Sequence, residues 1–93
     1  MRMIKRAATF KKDFKRIEAN PRHADISPLL KSVLLLLAQD SPLPDHYRDH
    51  ALVGNWKGYR ECRLKSDLSL IYRKEEPNIL RIARLGSHSA LFS

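Results

Sequence analysis

Apolar side chains recur at helical spacing early in the chain. Phe10, Phe14 and Ile17 follow one another at intervals of four and three residues, and Thr9 just before them can cap a first turn. The pattern predicts a first helix that ends at Asn20-Pro21, since a proline stops a helix at the preceding residue.

A second helix with a wider apolar stripe is predicted to follow. It begins near residues 25–28, where Ser27 is a natural cap and Pro28 fits the first turn. Its apolar positions are Leu29, Leu30, Val33, Leu34, Leu36 and Leu37. Because this helix carries little charge on any face, we expect it to be the more buried of the two.

Outside the two helices, short apolar segments of the kind found in β-strands recur along the chain. The predicted strands are residues 3–8, 59–64, 68–73 and 79–85. The last three are joined by short turns, so they should form an antiparallel meander. Two helices on one face of that sheet predict an α+β fold with a mainly antiparallel sheet, in a single domain over residues 1–93.

One arginine conflicts with simple alternation in the last strand. Parity places Arg84 on the same side as Leu80 and Ile82, which is the predicted core face. Arg84 must therefore lie where the core ends, or follow a β-bulge that re-aims its side chain.

Residues 41–58 contain no convincing helix or strand, and Pro42 and Pro44 open this loop. A long irregular segment in a small domain is usually disordered or functional, and its aromatic residues argue against disorder. His46 and His50 have the spacing of a helical metal pair, but the prolines disfavour a helix and no third ligand is near. A structural zinc site is therefore not predicted.

Size and composition narrow the protein class. A chain of 93 residues with one cysteine, Cys62, has room for one domain and no intramolecular disulfide. Its longest apolar run, Val33 to Ala38, is too short for a membrane span or a signal peptide. These features predict a reducing cytoplasm and no membrane. In mid-strand, Cys62 is most simply a small buried hydrophobe.

Charge suggests the kind of partner. The net charge is +8, and residues 1–22 hold eight basic and two acidic side chains. A small domain this basic suits nucleic acid, a ribosome or an acidic protein. The basic side chains of the first helix that lie together opposite its apolar stripe are Lys11, Lys12, Lys15 and Arg16.

Several polar side chains are candidates for chemistry, each with a plainer alternative. Asp67 can cap a hairpin turn, or it can orient a histidine or take a proton. His23 in the interhelix turn is expected to be solvated. Trp56 and Tyr59 are core or rim residues, or stacking faces for bases.

Arginines and the chain end extend this set of candidates. Two interpretations are open for the strand arginines Arg60, Arg63 and Arg84. Either their side chains extend into solvent, or together they bind the oxygens of a phosphate group. Two interpretations are also open for the chain end. Either His88 and Phe92 only pack against the sheet, or His88 carries a proton and the ring of Phe92 stacks on a base.

The motifs that are missing favour one reaction over others. The sequence has no Gly-rich phosphate loop, no serine nucleophile elbow and no cluster of metal-binding carboxylates. Cleaving RNA can use the RNA's own 2′-hydroxyl, so that the protein needs to supply only a base, an acid and positive charge. Histidines, arginines and one Asp fit that demand.

Three spaced signatures together resemble a known family. They are the run from Tyr47 to Glu61, the pattern Asp67-x-x-Leu-Ile-Tyr72, and the pattern Arg84-x-Gly86-x-His88-x-x-Leu91-Phe92. In order and spacing these resemble the YafQ branch of the RelE superfamily, bacterial toxins of toxin–antitoxin pairs. The resemblance covers nearly the whole chain.

The resemblance implies a ribosome-dependent mRNA endonuclease. Such a toxin cuts the codon in the ribosomal A site by 2′-hydroxyl attack, needs no metal or cofactor, and is silenced by a cognate antitoxin in a hetero-oligomeric complex. It implies that His50 is the general base or its aid with Asp67 beside it, that Arg84 stabilises the transition state, and that His88 is the general acid. Phe92 would stack on a base. The basic helix face would dock on ribosomal RNA.

Two positions depart from the family pattern. Arg63 stands where a further histidine is typical, and Leu68 where an aromatic residue follows the Asp. Because arginine is always protonated, Arg63 can bind phosphate but cannot accept a proton. Two alternatives therefore remain open: a non-catalytic module that binds RNA or ribosomes, and a module that only binds an antitoxin.

Overall fold

Two helices pack against one face of a five-stranded sheet in the computed structural model, which describes residues 1–92. The helices are α1 (Ala8–Glu18), α2 (Ile26–Ala38) and the short α3 (His88–Phe92). The strands are β1 (Met3–Arg6), β2 (His50–Ala51), β3 (Arg60–Lys65), β4 (Leu68–Glu75) and β5 (Ile79–Gly86).

The sheet has the order β1-β5-β4-β3-β2. The meander β3-β4-β5 is antiparallel, as its short turns predict, and β2 pairs with β3 in the same sense. Only β1 runs parallel to its neighbour, β5. The α+β prediction is confirmed, with β1 and β2 as the two outer strands.

Both predicted helix caps are wrong by two residues. Ala7 occupies the cap of α1, and Thr9 lies inside the first turn. The reason is that the Ala7 N–H still bonds to Ile82 O at 2.9 Å, so the chain turns directly from the strand into the helix. Asp25 caps α2 and Ser27 lies inside it, while Pro28 occupies the first turn as predicted.

The core lies between these helices and the sheet. Phe10 and Ile17 of α1 and Val33 and Leu37 of α2 are buried against the strands. The sheet residues of this core are Cys62, Leu64, Leu68, Leu70, Tyr72, Leu80, Ile82 and Leu85. The leucines of α2 extend around more of the helix than the face that packs on the core, so Leu35 remains 48% exposed.

A β-bulge resolves the conflict at Arg84. Ile71 pairs with Arg84 but the next residue of β4, Tyr72, pairs with Ile82, so one residue of β5 has no partner. The extra residue reverses the alternation, and Ile82 and Leu85 are both fully buried while Arg84 is not. The bulge alternative is the correct one.

Two elements were not predicted. The loop over residues 41–58 contains β2, which has only two residues and depends on its pairing with β3. The chain end forms α3, where the Ser87 hydroxyl accepts from the Ala90 N–H at 3.2 Å. Here α3 lies so close to β5 that a Cβ on Gly86 would be 3.3 Å from Leu91 Cδ2.

No helix in residues 1–92 is long and apolar enough to span a membrane.

Candidate active site

A row of paired residues crosses the sheet from its β2 edge. His50 pairs with Glu61, Glu61 with Ile71, and Ile71 with Arg84. Residues paired across strands share a face. Since Leu70 and Tyr72 belong to the helix-side core, alternation puts His50, Glu61 and Ile71 on the opposite face, whereas Arg84, beside the bulge, bonds to Asp13 of α1.

Glu61 joins the two histidines that the sequence predicts to be catalytic. Its Oε1 lies 3.1 Å from His50 Nε2, and its Oε2 lies 3.7 Å from His88 Nδ1. The Glu61 side chain is only 6% exposed, and Oε2 is buried with no hydrogen-bond partner. Burying such an oxygen without a partner is costly, and the nearest cationic partner on offer to Oε2 is His88 when its imidazole is protonated.

One ring nitrogen of His50 bonds to the backbone and the other faces Glu61. The Nδ1–H donates to the carbonyl of Arg48 at 2.7 Å, because a carbonyl can only accept. Nε2 lies 3.1 Å from the Glu61 carboxylate. A proton taken up at Nε2 would therefore face a negatively charged oxygen, which favours the charged imidazole.

Of the three residues His50, Glu61 and His88, His88 is the most exposed to solvent. Its side chain is 70% exposed, and its ring packs against that of Phe92 with centroids 4.7 Å apart. These residues are four apart on α3, which places them on one side of the helix. The 3.7 Å gap to Glu61 is too long for a hydrogen bond, so the carboxylate attracts a charged imidazole there without fixing it.

Arg84 is held by a buried aspartate on α1. Its Nε and Nη2 donate to Asp13 at 2.7 and 3.3 Å, and the Leu85 N–H donates to the same carboxylate at 3.1 Å. Burial alone would raise the pKa of Asp13, but these hydrogen bonds outweigh it and the pKa lies below its ordinary value. Asp13 in turn raises the pKa of Arg84. The clamp fixes the guanidinium beyond the end of β1.

Asp67 lies apart from His50. It sits in the turn between β3 and β4, where its Oδ2 is 3.3 Å from Arg22 Nη2 and 3.6 Å from His23 Nε2. It also lines a cavity of about 320 Å³ that reaches Ser87, the neighbour of His88. The carboxylate beside His50 is thus Glu61, while Asp67 lies in the β3–β4 turn against Arg22 and His23.

The expectation that His23 is solvated is wrong. Its side chain is buried, and Nδ1 has no hydrogen-bond partner. The 3₁₀ turn Pro21–His23 brings the ring against Asp67, a contact between residues 44 positions apart. A polar interhelix turn gives no local signal for such a contact.

Arg60 and Trp56 make contacts within the protein. Arg60 Nε donates to Asp49 at 3.2 Å, and the Tyr72 hydroxyl donates to the same carboxylate. Burial, together with Asp49, raises the pKa of Tyr72. Trp56 packs edge-on against Tyr59 with ring centroids 5.2 Å apart. These contacts fix the loop that carries His50, and the RNA-binding roles predicted for Arg60 and Trp56 stay predictions.

Four cationic side chains are exposed on α1, and one is exposed on β3. Lys11, Lys12 and Lys15 are exposed, and Arg16 is paired with Asp13 at 3.2 Å but also largely exposed. Arg63 is exposed and lies two residues from Glu61 on the same strand, hence on the same face. Arg63 is thus close to the row.

Buried Cys62 behaves as predicted. Desolvation raises the pKa of its thiol to about 12, so the side chain stays neutral and packs as a small hydrophobe. Within residues 1–92, no three side chains of His, Cys, Asp or Glu are grouped so as to hold a metal ion.

Sequence reasoning missed Glu61 and Asp13, although each left a trace. Asp13 is an acidic residue at helical spacing between Phe10 and Ile17, on the side that faces the core. Glu61 ends the loop signature and lies two residues before Arg63 on a strand. An acidic residue at such a position indicates a functional role only when the basic side chains that it contacts are known.

Comparison with known proteins identifies the family. A family model described as the bacterial toxin of a type II toxin–antitoxin system, YafQ, matches residues 2–93. The chain belongs to the YafQ toxin family. The resemblance drawn from the three signatures is therefore confirmed.

Relatives of the YafQ family match over the full length. The mRNA interferase toxin YafQ of Escherichia coli strain K12 is 41% identical over 91 residues, which are 98% of this chain and 96% of that protein. The crystal structure of YafQ from E. coli strain BL21(DE3) superposes with a TM-score of 0.86 at 38% identity, with both chains fully covered. In the crystal structure of the E. coli DinJ–YafQ complex the matching chain has a TM-score of 0.85, 39% identity and full coverage of both chains.

Proposed function

We propose that this chain is an mRNA interferase toxin that cuts the codon in the ribosomal A site. The observation that carries the proposal is the buried Glu61, whose two oxygens face His50 and His88. Two imidazoles around one carboxylate supply the acid and base that RNA cleavage requires. The E. coli relative named an mRNA interferase toxin, 41% identical to this chain, supports the same assignment.

Binding comes first in the proposed reaction. Arg84, fixed by Asp13, and the exposed Arg63 contact the scissile phosphate with planar guanidinium groups. Phe92 stacks on a neighbouring base, since its ring already stands beside His88. These contacts place the phosphate between His50 and His88.

The chemical step is an attack by the RNA's own 2′-oxygen. His50 acts from its neutral form, in which Nδ1 carries the proton that is donated to the Arg48 carbonyl, and its Nε2 accepts the proton of the 2′-hydroxyl. The 2′-oxygen–phosphorus bond forms, and the phosphorus–5′-oxygen bond breaks. His88 donates a proton to the departing 5′-oxygen. The products carry a 2′,3′-cyclic phosphate and a 5′-hydroxyl.

Glu61 acts as a positioning residue in this scheme. It stabilises the imidazolium form of His50 after proton transfer, and it attracts the charged form of His88 before it. Because Arg63 cannot exchange protons, the acid and base work falls on His50 and His88.

The ribosome and the antitoxin are the proposed partners. The exposed face Lys11, Lys12, Lys15 and Arg16 docks on ribosomal RNA, so binding should weaken as salt rises. An acidic antitoxin neutralises the toxin in a hetero-oligomer, as the solved DinJ–YafQ complex suggests for this family. The proposed place of action is the bacterial cytoplasm, where messages are translated.

Primer extension on ribosomes programmed with a defined A-site codon tests the proposal. Wild-type protein should cut the message within that codon, and His88→Ala should not. The fragment end should resist phosphatase until acid opens the cyclic phosphate. If folded wild-type protein cuts no codon while a related toxin does so in the same assay, the chain is not an interferase.

The exchange at Arg63 favours a second candidate, a non-catalytic module that still binds ribosomes. It predicts that His88→Ala leaves growth arrest and ribosome binding unchanged, while Lys11→Glu with Lys15→Glu abolishes both. The same set of variants therefore separates the two candidates.

A further inference from the structure

A hydrogen-bond network joins two of the sequence signatures directly before His50. Asp49 belongs to the first signature, which runs from Tyr47 to Glu61, and Tyr72 ends the second. The Tyr72 hydroxyl donates to Asp49 Oδ1, and Arg60 Nε donates to the same oxygen at 3.2 Å. Two side chains that are 23 positions apart in the sequence therefore meet beside the proposed base.

Tyr72 is a rigid anchor for this network. The residue is only 1% exposed, and its ring belongs to the core between the helices and the sheet. Burial, and then the hydrogen bond to Asp49, raise the pKa of its hydroxyl, so the group keeps its proton and donates it. Because a ring in a close-packed core has little freedom to move, Asp49 is tied to a fixed point of the sheet.

The anchor decides which face of the sheet receives His50. Tyr72 lies on the helix side of the sheet, and the Asp49 side chain turns toward it. Successive side chains of an extended chain point to opposite faces. The next residue, His50, therefore points away from the helices, where its Nε2 lies 3.1 Å from Glu61 Oε1.

The strand that carries His50 is too short to fix this arrangement by itself. β2 has two residues, and only His50 and Ala51 pair with β3. Arg48, just before them, has a φ of 50°, a left-handed conformation that costs free energy for a residue with a side chain. Such a conformation persists only where the surrounding contacts determine it. The anchored Asp49 is the next residue along the chain and supplies such a contact.

The backbone at Arg48 in turn controls the imidazole of His50. The Arg48 carbonyl accepts from His50 Nδ1 at 2.7 Å. A neutral imidazole has one N–H, and the hydrogen bond made by one nitrogen decides whether the other is free. With the proton on Nδ1, the lone pair of Nε2 is available to a substrate hydroxyl. A displaced carbonyl would let the proton move to Nε2, and that tautomer accepts no proton there.

We propose that Tyr72 and Asp49 are positioning residues for His50, holding the Arg48 carbonyl where it keeps the imidazole proton on Nδ1. The inference rests on the proposed function, because that function makes His50 the general base. Tyr72 and Asp49 do not touch the RNA in this scheme. They therefore act on the rate of cleavage and not on the affinity for ribosomes.

Three substitutions test the network at its two ends. Tyr72→Phe removes the hydroxyl and keeps the ring in the core, whereas Asp49→Ala removes the acceptor. Single-turnover cleavage at saturating ribosome concentration should fall about 10-fold in Tyr72→Phe and about 100-fold in Asp49→Ala, because the base is misplaced. The half-saturating ribosome concentration should stay within about twofold of wild type, since no binding contact is lost. Asp49→Asn keeps an acceptor oxygen and should cleave within about threefold of the wild-type rate.

Nitrogen NMR of isotope-labelled imidazole rings reads the tautomer without any RNA. Spectra in alkaline buffer, in which the rings are neutral, distinguish a protonated from an unprotonated nitrogen, and the His50 signals are those that His50→Asn lacks. Wild type and Asp49→Asn should show the proton on Nδ1. Tyr72→Phe and Asp49→Ala should show a mixture of both tautomers. A merely structural role for the network would lower stability and leave the tautomer unchanged.

The matched control is Tyr47→Phe. It is the same exchange at a half-buried tyrosine of the loop that carries His50, and the Tyr47 hydroxyl makes no hydrogen bond within residues 1–92. This variant should keep the wild-type rate and the wild-type signals of His50. Circular dichroism and thermal unfolding establish first that each variant is folded.

The inference is overturned if folded Tyr72→Phe or folded Asp49→Ala keeps the His50 signals of the wild type. It is also overturned if the tautomer changes while cleavage stays within about twofold of wild type. Asp49→Asn as slow as Asp49→Ala would overturn it too, because Asp49 would then act through its charge.

The proposed function fails in a different way. If the wild-type protein cuts no message but both variants change the tautomer of His50, the positioning role stands and the function falls. If the wild-type protein cuts message and both variants keep its rate and its spectrum, the function stands and the positioning role falls.

Discussion

The two edges of the sheet are built from opposite chemistry. At the β2 edge, polar side chains face one another and the ring of His88 is open to solvent. At the β1 edge, the exposed side chains Ile4 and Leu35 are apolar, and the polar groups on offer belong to the backbone. The first edge therefore offers side chains that can take up or release protons, whereas the second offers apolar side chains and backbone hydrogen-bonding groups.

The two edges therefore differ in the kind of group that each one presents. Reactive groups need fixed geometry, and the register of β2, β3, β4 and β5 supplies it by pairing His50, Glu61, Ile71 and Arg84 in one row. Substitutions at the β2 edge should therefore change cleavage and leave the rest of the sheet intact, and this can be tested.

The largest expected effect is at His88. His88→Ala removes the proposed general acid and should lower the cleavage rate about 10²–10⁴-fold, the usual worth of such a group. His46→Ala, at an exposed histidine of the loop before β2, is the control and should keep full activity. Cleavage at the wild-type rate in folded His88→Ala would show that the β2 edge does not supply the acid.

Glu61→Gln should have the next largest effect. The amide keeps the shape but loses the charge that stabilises His50 and attracts His88, so single-turnover cleavage should fall about 10- to 100-fold. Wild-type cleavage needs one neutral and one protonated imidazole and should show a bell-shaped pH profile, whose limbs shift in Glu61→Gln. A purely structural role for Glu61 would lower activity without moving the limbs. The exposed Glu18→Gln serves as the control.

Asp13→Asn tests the support of Arg84. Losing the charge of a buried pair should reduce the free energy of unfolding by about 1–3 kcal/mol at neutral pH. Because the folded pKa of Asp13 lies below its ordinary value of 3.8, this stabilisation is fully present above the unfolded pKa. It disappears as the pH falls through the folded pKa, so the two unfolding curves should converge in acid.

Urea unfolding from pH 7 down to pH 2 measures this convergence. Asp45→Asn, in an exposed position, should unfold like the wild type at every pH. A difference between Asp13→Asn and wild type that persists at the lowest pH would show that the lost stability does not come from the charge.

The smallest effect is expected on α1, which belongs to neither edge. Lys11→Glu with Lys15→Glu should weaken ribosome binding several-fold at low salt and much less at high salt, because exposed charges are screened. Cleavage at saturating ribosome concentration should not change. An equal loss at all salt concentrations would mean that these lysines act through shape and not through charge.

Local patterns explain why much of the fold is predictable. Phe10, Phe14 and Ile17 indicate a helix by spacing alone, and short turns force β3, β4 and β5 into a meander. The helix caps are less predictable, because the strand pairing of Ala7, and not the preference of Thr9, decides where α1 begins. β2 has two residues and exists only through its partner.

The sequence by itself determined the elements, the conflict at Arg84, and the spacing that carries Arg84, His88 and Phe92. Only the tertiary structure decided that Glu61 and not Asp67 stands beside His50, that Asp13 holds Arg84, and that His23 is buried. Periodicity acts between near neighbours and is visible along the chain. Pairing register, a bulge and the docking of α1 on β5 join residues far apart in sequence, so their contacts appear only when the sheet is assembled.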